Sequence, residues 1–315
     1  MLKMVRLYLN LFCFFYKNGI MKLSVVIPTR GDQNMRNTIE CLEKQTFKDF
    51  EVIFVVDKIL EKKEAEFEDK WNIKFITNLN SNLRPHNNAS DLRNYGVEVA
   101  SGEFINLMDD DEWFEDDYLQ KSMNYREKFR ELIGKDFVLT PTLMYRKTWK
   151  IQNYGFKYFS YFLSRPIPKK LWRKRHRWYI QMYSGNSLLA PAYIFKSVKF
   201  DEEFDFVYED LEFTYRIYKS GYPIIVLRDL KIYHMERDKS KLEQAWVWNV
   251  DQAYRKNKHR ILFVKKNGNR IQKIKFYLFG YRAQPFWLIG KILIFWKWKK
   301  RWEIIKSLLK GFKIN

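Results

Sequence analysis

Over the first hundred residues, apolar positions come in short β-branched blocks separated by amphipathic stretches. Leu23 to Ile27 reads as a buried strand closed by Pro28. Met35 to Gln45 carries Met35, Ile39 and Leu42 at helical spacing, and Phe50 to Val56 is a second apolar strand ended by Asp57. Ile59 to Lys70 is charged and helical, and Ile73 to Thr77 is a third strand. Asn88 to Ala100 sets Leu92, Tyr95 and Val99 on one helix face and stops near Gly102; Glu103 to Met108 is a fourth strand that runs into Asp109-Asp110-Asp111. Strands alternating with helices predict an α/β fold with a mostly parallel sheet and helices on both faces. In such a sheet ligands gather beyond the carboxyl ends of the strands. Pro28-Thr29-Arg30, Asp57 and the acidic triplet all lie at such ends.

After Phe137 the pattern is mixed. Asp136 to Leu143 and Ser187 to Ala190 read as strands, Glu209 to Ser220 as a helix closed by Gly221, and Ile224 to Leu227 and Lys231 to His234 as two short strands. Near the end, Trp298, Trp302, Ile305, Leu308, Leu309 and Phe312 recur at helical spacing with lysines between them, after a Pro285 suited to a helix start. A basic amphipathic helix bordered by Trp lies in a bilayer interface. The alternative is a helix packed on the domain with a solvated basic face. The expected organisation is an N-terminal extension over 1–20 (Met21 being an alternative start), a catalytic domain over 21–240 and a basic helical appendage over 241–315.

Charge sharpens this picture. The 315 residues are 46% hydrophobic and 18% aromatic, which suits a globular chain, and the net charge of +21 points to anionic partners. From Arg255 to Asn315 there are 18 Lys and Arg against one acid, Glu303. A second basic run, Arg146 to Arg177, contains no acid. The two cysteines, Cys13 and Cys41, have no metal-ligand spacing and fit a reducing compartment. The longest apolar candidate for a span, Phe276 to Trp296, is broken by Arg282, Pro285 and Lys291. The expected location is therefore cytoplasmic, peripheral on the inner face of the cell membrane.

The acidic triplet carries the chemistry. Carboxylates crowded at a strand end repel one another, and a divalent cation, Mn²⁺ or Mg²⁺, relieves that repulsion while holding substrate phosphates. A helix N-terminus would explain the same acids more simply, but the buried strand before them favours the metal. Glu209-Asp210 opens a helix, where capping competes with a general-base role for Asp210. His234 ends a strand and becomes a ligand only if it meets the acids in space. Arg93 is either a surface helix residue or a guanidinium near a diphosphate.

Together these residues resemble the family 2 glycosyltransferases with the GT-A fold. Ser24 to Arg30 is similar to the family's first strand and donor loop. Arg93-Asn94-x-Gly96 and Ala100 to Ile105 match the segment before its metal motif, and Asp109-Asp110-Asp111 matches the DxD motif itself. Gly185 to Leu189 resembles the acceptor-side strand, and Phe200 to Phe204 with Glu209-Asp210, Arg216 and Gly221 matches the late Glu-Asp block. Val56-Asp57-Lys58-Ile59 departs from the family's usual Asp-Asp-Gly-Ser. The resemblance implies an inverting, metal-dependent transfer from a nucleotide-diphosphate sugar to a glycan or lipid-linked acceptor in envelope polysaccharide or glycolipid synthesis. It implies donor contacts at Pro28, Thr29, Arg30, Asp57, Arg93, Asp109 and Asp110. It further implies metal ligation by Asp109, Asp111 and His234, a base at Asp210, and acceptor contacts at Glu209, Asn186 and Trp113.

Three rivals remain at this stage. A nucleic-acid-binding protein fits the charge but lacks a reading module, so no nucleic acid is expected. A nucleotidyltransferase would release pyrophosphate instead of a nucleoside diphosphate. A catalytically silent glycosyltransferase-like protein that binds nucleic acid or membrane would lack the intact acids.

Overall fold

The computed structural model describes residues 22–29, 33–56, 73–77, 89–168, 177–185, 187–204, 207–234 and 250–281. The expected helix over Ile59 to Lys70, the amphipathic helix near the C-terminus, and the candidate residues Arg30, Asp57 and Asn186 lie outside them.

Strands β1 (Leu23–Thr29), β2 (Phe50–Val56), β3 (Ile73–Thr77) and β4 (Phe104–Leu107) are mutually parallel, in the order β3-β2-β1-β4. Every residue of β1 and β2 is buried. That is why these strands read as nearly continuous apolar runs, with Ser24, Thr29 and Glu51 as buried polar exceptions, the signature of a sheet covered on both faces. Leu23, Val25 and Ile27 face one core, shared with Met35, Ile39 and Leu42 of α1 (Gln33–Glu43) and with Leu119, Met123 and Phe129 of α3 (Tyr118–Ile133). Val26 faces the other, shared with Leu92 and Val97 of α2 (Ala89–Val99), Ile194 and Phe195 of α4 (Ala192–Ser197), and Phe213 and Ile217 of α5 (Glu209–Lys219).

Beyond β4 the sheet is mixed. After the short β5 (Glu112–Trp113) come β6 (Val138–Tyr145) and β7 (Ile151–Asn153), then the hairpin of β8 (Phe156–Ser160) and β9 (Arg165–Pro168), which forms its own two-stranded sheet. β10 (Arg177–Ile180), β11 (Leu188–Pro191) and β12 (Ile224–His234) complete the order β10-β12-β6-β11-β4, with β11 antiparallel to both its neighbours.

The two strands expected at 224–227 and 231–234 are one. β12 runs parallel to β6 on both sides of a bulge, where Leu227 pairs with Pro141 and Lys231 with Thr142. Pro141 has no N–H to offer the ladder, and bulges accommodate such residues. The Thr142 hydroxyl instead donates to the Leu227 carbonyl at 2.8 Å. Arg228 and Asp229 imitate a turn in the sequence because the bulge exposes them.

The described residues 250–281, which open the expected basic appendage, pack on the α/β fold. Ile261, Phe263 and Val264 of α6 (Val250–Asn267) and Phe276, after α7 (Arg270–Lys275), share a third core with Phe159, Tyr161, Phe204, Tyr208, Leu211 and Tyr215. Among the described residues no helix is long and apolar enough to cross a membrane.

Candidate active site

The chain leaves β4 into the acidic turn and re-enters the sheet as β5, pairing with the end of β12. Glu112 stands opposite His234 and Trp113 opposite Tyr233. This pairing brings His234 Nε2 to 3.1 Å from Asp111 Oδ2. The three aspartates then part company. The Asp110 carboxylate accepts from Thr29 Oγ1 at 2.7 Å, and its carbonyl accepts from Thr38 Oγ1 at 2.7 Å. Asp109 pairs with Arg93, while Asp111 meets His234. Glu112 turns inward, is buried, and accepts from the Asp109 amide and the Ser187 hydroxyl. Burial, with Asp109 and Asp111 close by, pushes its carboxyl well above the usual range.

Each residue of Arg93-Asn94-x-Gly96 on α2 has a separate task. Arg93 is buried, and its Nη2 lies 3.0 Å from Asp109 Oδ1. Glu209 and Asp210 add to the negative field around the guanidinium. Asn94 exchanges two hydrogen bonds with the Phe200 backbone, donating to its carbonyl at 3.0 Å and accepting from its amide at 2.7 Å. Gly96 lets the helix touch the sheet, since a Cβ there would stand 2.4 Å from Val26 Cγ1. The motif thus fastens the acidic turn after β4 to the segment that leads to the second acidic pair.

That pair opens α5 after two strained residues. Val207 and Tyr208 hold φ of 62° and 79°, a left-handed conformation that costs about 1–3 kcal/mol each for such side chains. The surroundings hold the bend in place: the buried ring of His259 on α6 contacts the Val207 carbonyl through Nδ1 at 2.9 Å, and Lys266 pairs with Asp201 and Glu203. The bend delivers Asp210 into contact with the Gly185 amide at 2.5 Å and the Leu211 amide at 2.7 Å. Burial raises the Asp210 carboxyl, while Arg93 and the donors at Leu211, Gly185 and Ser184 oppose the rise. Glu209 has fewer such donors. Its buried Oε2 has no hydrogen-bond partner among the described residues, and burial beside Asp210 pushes it up to about 8, against the pull of Arg93. Burial thus raises both carboxyls of the pair, and Arg93 pulls against the rise in each.

Of the other sequence candidates, Pro28 and Thr29 end β1, and Thr29 is buried against the acidic turn. Trp113 packs edge-on to Tyr233, with the Arg146 guanidinium 4.4 Å from its ring centroid. Among the described residues no group of three or more His, Cys, Asp or Glu forms a metal cage. Asp111 and His234 do offer an oxygen and a nitrogen side by side, a donor set that suits a cation whose other positions go to phosphate and water. Sequence reasoning missed Glu112, Ser187 and His259 as supports. Glu112 directly follows the acidic triplet and Ser187 lies two residues after Gly185, so both had a local signal; His259 had none.

The Glycosyl transferase family 2 model matches residues 24–185, just over half of the chain. The chain is 30% identical over 121 residues to the amylovoran biosynthesis glycosyltransferase AmsB of Erwinia amylovora, a stretch covering 37% of this chain and 39% of that protein. It is 33% identical over 96 residues to the GalNAc(5)-diNAcBac-PP-undecaprenol beta-1,3-glucosyltransferase of Campylobacter jejuni, covering 29% of this chain and 30% of that one. The matches thus span well under half of these two relatives. The crystal structure of S. aureus TarS 1-349 in complex with UDP-GlcNAc aligns with a TM-score of 0.57 at 19% identity, covering 92% of this chain and 80% of that chain, and shares the fold.

Proposed function

The chain belongs to glycosyl transferase family 2, and on that premise we propose that it moves a sugar from a nucleotide-diphosphate donor to an acceptor hydroxyl with inversion. The observation that carries this reading is the meeting of two acidic motifs around one buried cation, Arg93, with Asp109 on one side and Glu209-Asp210 on the other. Asp210 is the general base: it takes the acceptor proton as the new C–O bond forms, on the face of the sugar opposite the departing diphosphate. The amides of Gly185 and Leu211 fix its carboxylate, and Arg93 opposes the rise in its pKa that burial causes. Glu209 and Trp113 belong to the acceptor side.

A divalent cation, Mn²⁺ or Mg²⁺, would be held by Asp111 and His234, and when bound it neutralises charge on the leaving diphosphate. Asp109, tied to Arg93, then serves the donor through that buried pair instead of by ligation alone. TarS was crystallised with UDP-GlcNAc, so uridine diphosphate sugars are the first donors to test. The names of the two bacterial relatives, one concerned with amylovoran and the other with an undecaprenol-linked glycan, support an acceptor in polysaccharide or glycolipid synthesis. An acceptor of that kind, with the basic chain end, favours work at the surface of an anionic membrane. The direct test is a panel of nucleotide sugars with Mn²⁺, read as a rise in Tm and as release of nucleoside diphosphate. Release of pyrophosphate would support nucleotidyl transfer instead.

A further inference from the structure

The acid-free run from Arg146 to Arg177 has no task in the reaction above. Much of it forms the β8–β9 hairpin, whose turn lies against the end of the described chain. Gly280 packs so tightly there that a Cβ would stand 2.4 Å from the Tyr161 carbonyl oxygen and 3.1 Å from that of Phe162. Arg260, buried, ties the two together by donating to the Gly280 carbonyl at 3.2 Å and to the Ser164 hydroxyl. Beside this seam the rings of Phe162 and Phe279 touch, with centroids 5.2 Å apart, yet they remain 53% and 50% exposed. Leu163 and Leu278, next to them in the chain, are 41% and 64% exposed. Two segments distant in sequence thus hold four large apolar side chains outward from a rigid seam.

Exposed cations lie on both segments that carry the patch. Lys157 and Arg165 on the hairpin and Arg270 and Lys275 on the C-terminal side are exposed, and neither 146–177 nor 255–281 contains an Asp or Glu. We propose that the hairpin turn and the helical turn at Tyr277–Phe279 together form a docking element for an anionic bilayer, with Phe162, Leu163, Leu278 and Phe279 entering the headgroup–acyl boundary. The proposal rests on the membrane reading above and extends it from the chain end to the catalytic domain itself. Exposed apolar side chains on segments rich in Lys and Arg suit that boundary, where anionic lipid attracts each cation. A protein interface core is depleted in Lys, and Leu163 and Leu278 offer no stacking face to a nucleotide base.

The test uses the full chain carrying Phe162→Asp with Leu278→Asp, and a second pair, Leu163→Gln with Phe279→Gln, in case the first pair misfolds. Flotation is measured with phosphatidylcholine vesicles with and without phosphatidylglycerol, beside melting temperature and size-exclusion elution. The wild-type chain is expected to bind the anionic vesicles. Folded variants should bind them about tenfold more weakly or worse, with unchanged Tm and elution. If wild-type protein floats with neither vesicle, the membrane reading falls and this proposal with it. If wild-type protein floats and a folded variant floats equally well, the chain end alone docks and the proposal is overturned. A variant that changes oligomeric state, or loses binding to single-stranded RNA, while still floating overturns it in favour of a second copy or a nucleic acid.

Discussion

Arg93 Nη2 lies 3.0 Å from Oδ1 of Asp109, with the guanidinium buried and only one of its nitrogens engaged by that acid. Its Nε and Nη1 have no hydrogen-bond partner among the described residues, so the charge is free to serve Glu209 and Asp210 electrostatically. One cation thereby faces both acidic motifs, and two of the following expectations depend on it.

Replacing Arg93 by Met should strand the acids around it. Removing one partner of a buried ion pair destabilises by about 3–5 kcal/mol, and the partial exposure of Asp109 places this pair at the lower end. Because Arg93 lowers the pKa of both Glu209 and Asp210, any residual activity should lose its acid limb at a higher pH than wild type. Urea unfolding and a pH–rate profile check the two effects separately. A variant as stable as wild type, with an unshifted limb, would remove Arg93 from this role.

Asp111→Asn and His234→Gln should each abolish the Mn²⁺-dependent part of donor binding, read as loss of the extra rise in Tm that metal gives with UDP. The metal-free Tm should change little, since both side chains retain some exposure. Full metal dependence in both variants would mean that the ion, if any, is bound elsewhere.

Gly96→Ala places a methyl group 2.4 Å from Val26 Cγ1 and 2.8 Å from Val55 Cγ2. Overpacking of this kind costs about 1–3 kcal/mol, and the predicted fall in Tm should come with weaker donor binding, because α2 carries Arg93. A neutral substitution would show that the helix rides freely on the sheet.

The buried Glu51 gives a pH signature of the fold. Burial raises its carboxyl, but Lys74, Ser24 and Ser101 outweigh that and hold it below the ordinary value. A depressed folded pKa means that the stabilisation is complete above the unfolded value of about 4.3 and is lost as pH falls through the lower folded value. The stability gap between wild type and Glu51→Gln should therefore be constant near neutrality and shrink below about pH 4. A gap independent of pH down to the acid transition would contradict this.

Where a residue's role follows from its immediate neighbours, the sequence displays it. β2 and β3 fall where the apolar runs place them, and the acidic triplet does end a buried strand. Contacts made across the fold are hidden. Nothing local announces that β5 pairs with β12, the step that joins His234 to Asp111. Nor does a motif reveal that Ser187 and Gly185, two residues apart, contact Glu112 and Asp210 respectively. Helix α3 escaped because its buried residues are few among charged ones and Ser122 is one of them. The three aspartates look equivalent on paper; only the partners Thr29, Arg93 and His234 tell them apart.

The most direct test of the account is the rate of sugar transfer by Asp210→Asn, measured once a donor and acceptor pair has been found. Asn is nearly isosteric and can still accept from one of the Gly185 and Leu211 amides through its single oxygen, but it cannot take a proton. Donor binding should stay within a few-fold of wild type, while kcat falls by about a hundred- to ten-thousand-fold, the usual loss for a general base. Transfer within a few-fold of wild type would show that Asp210 only caps α5, and would contradict the assignment of the base.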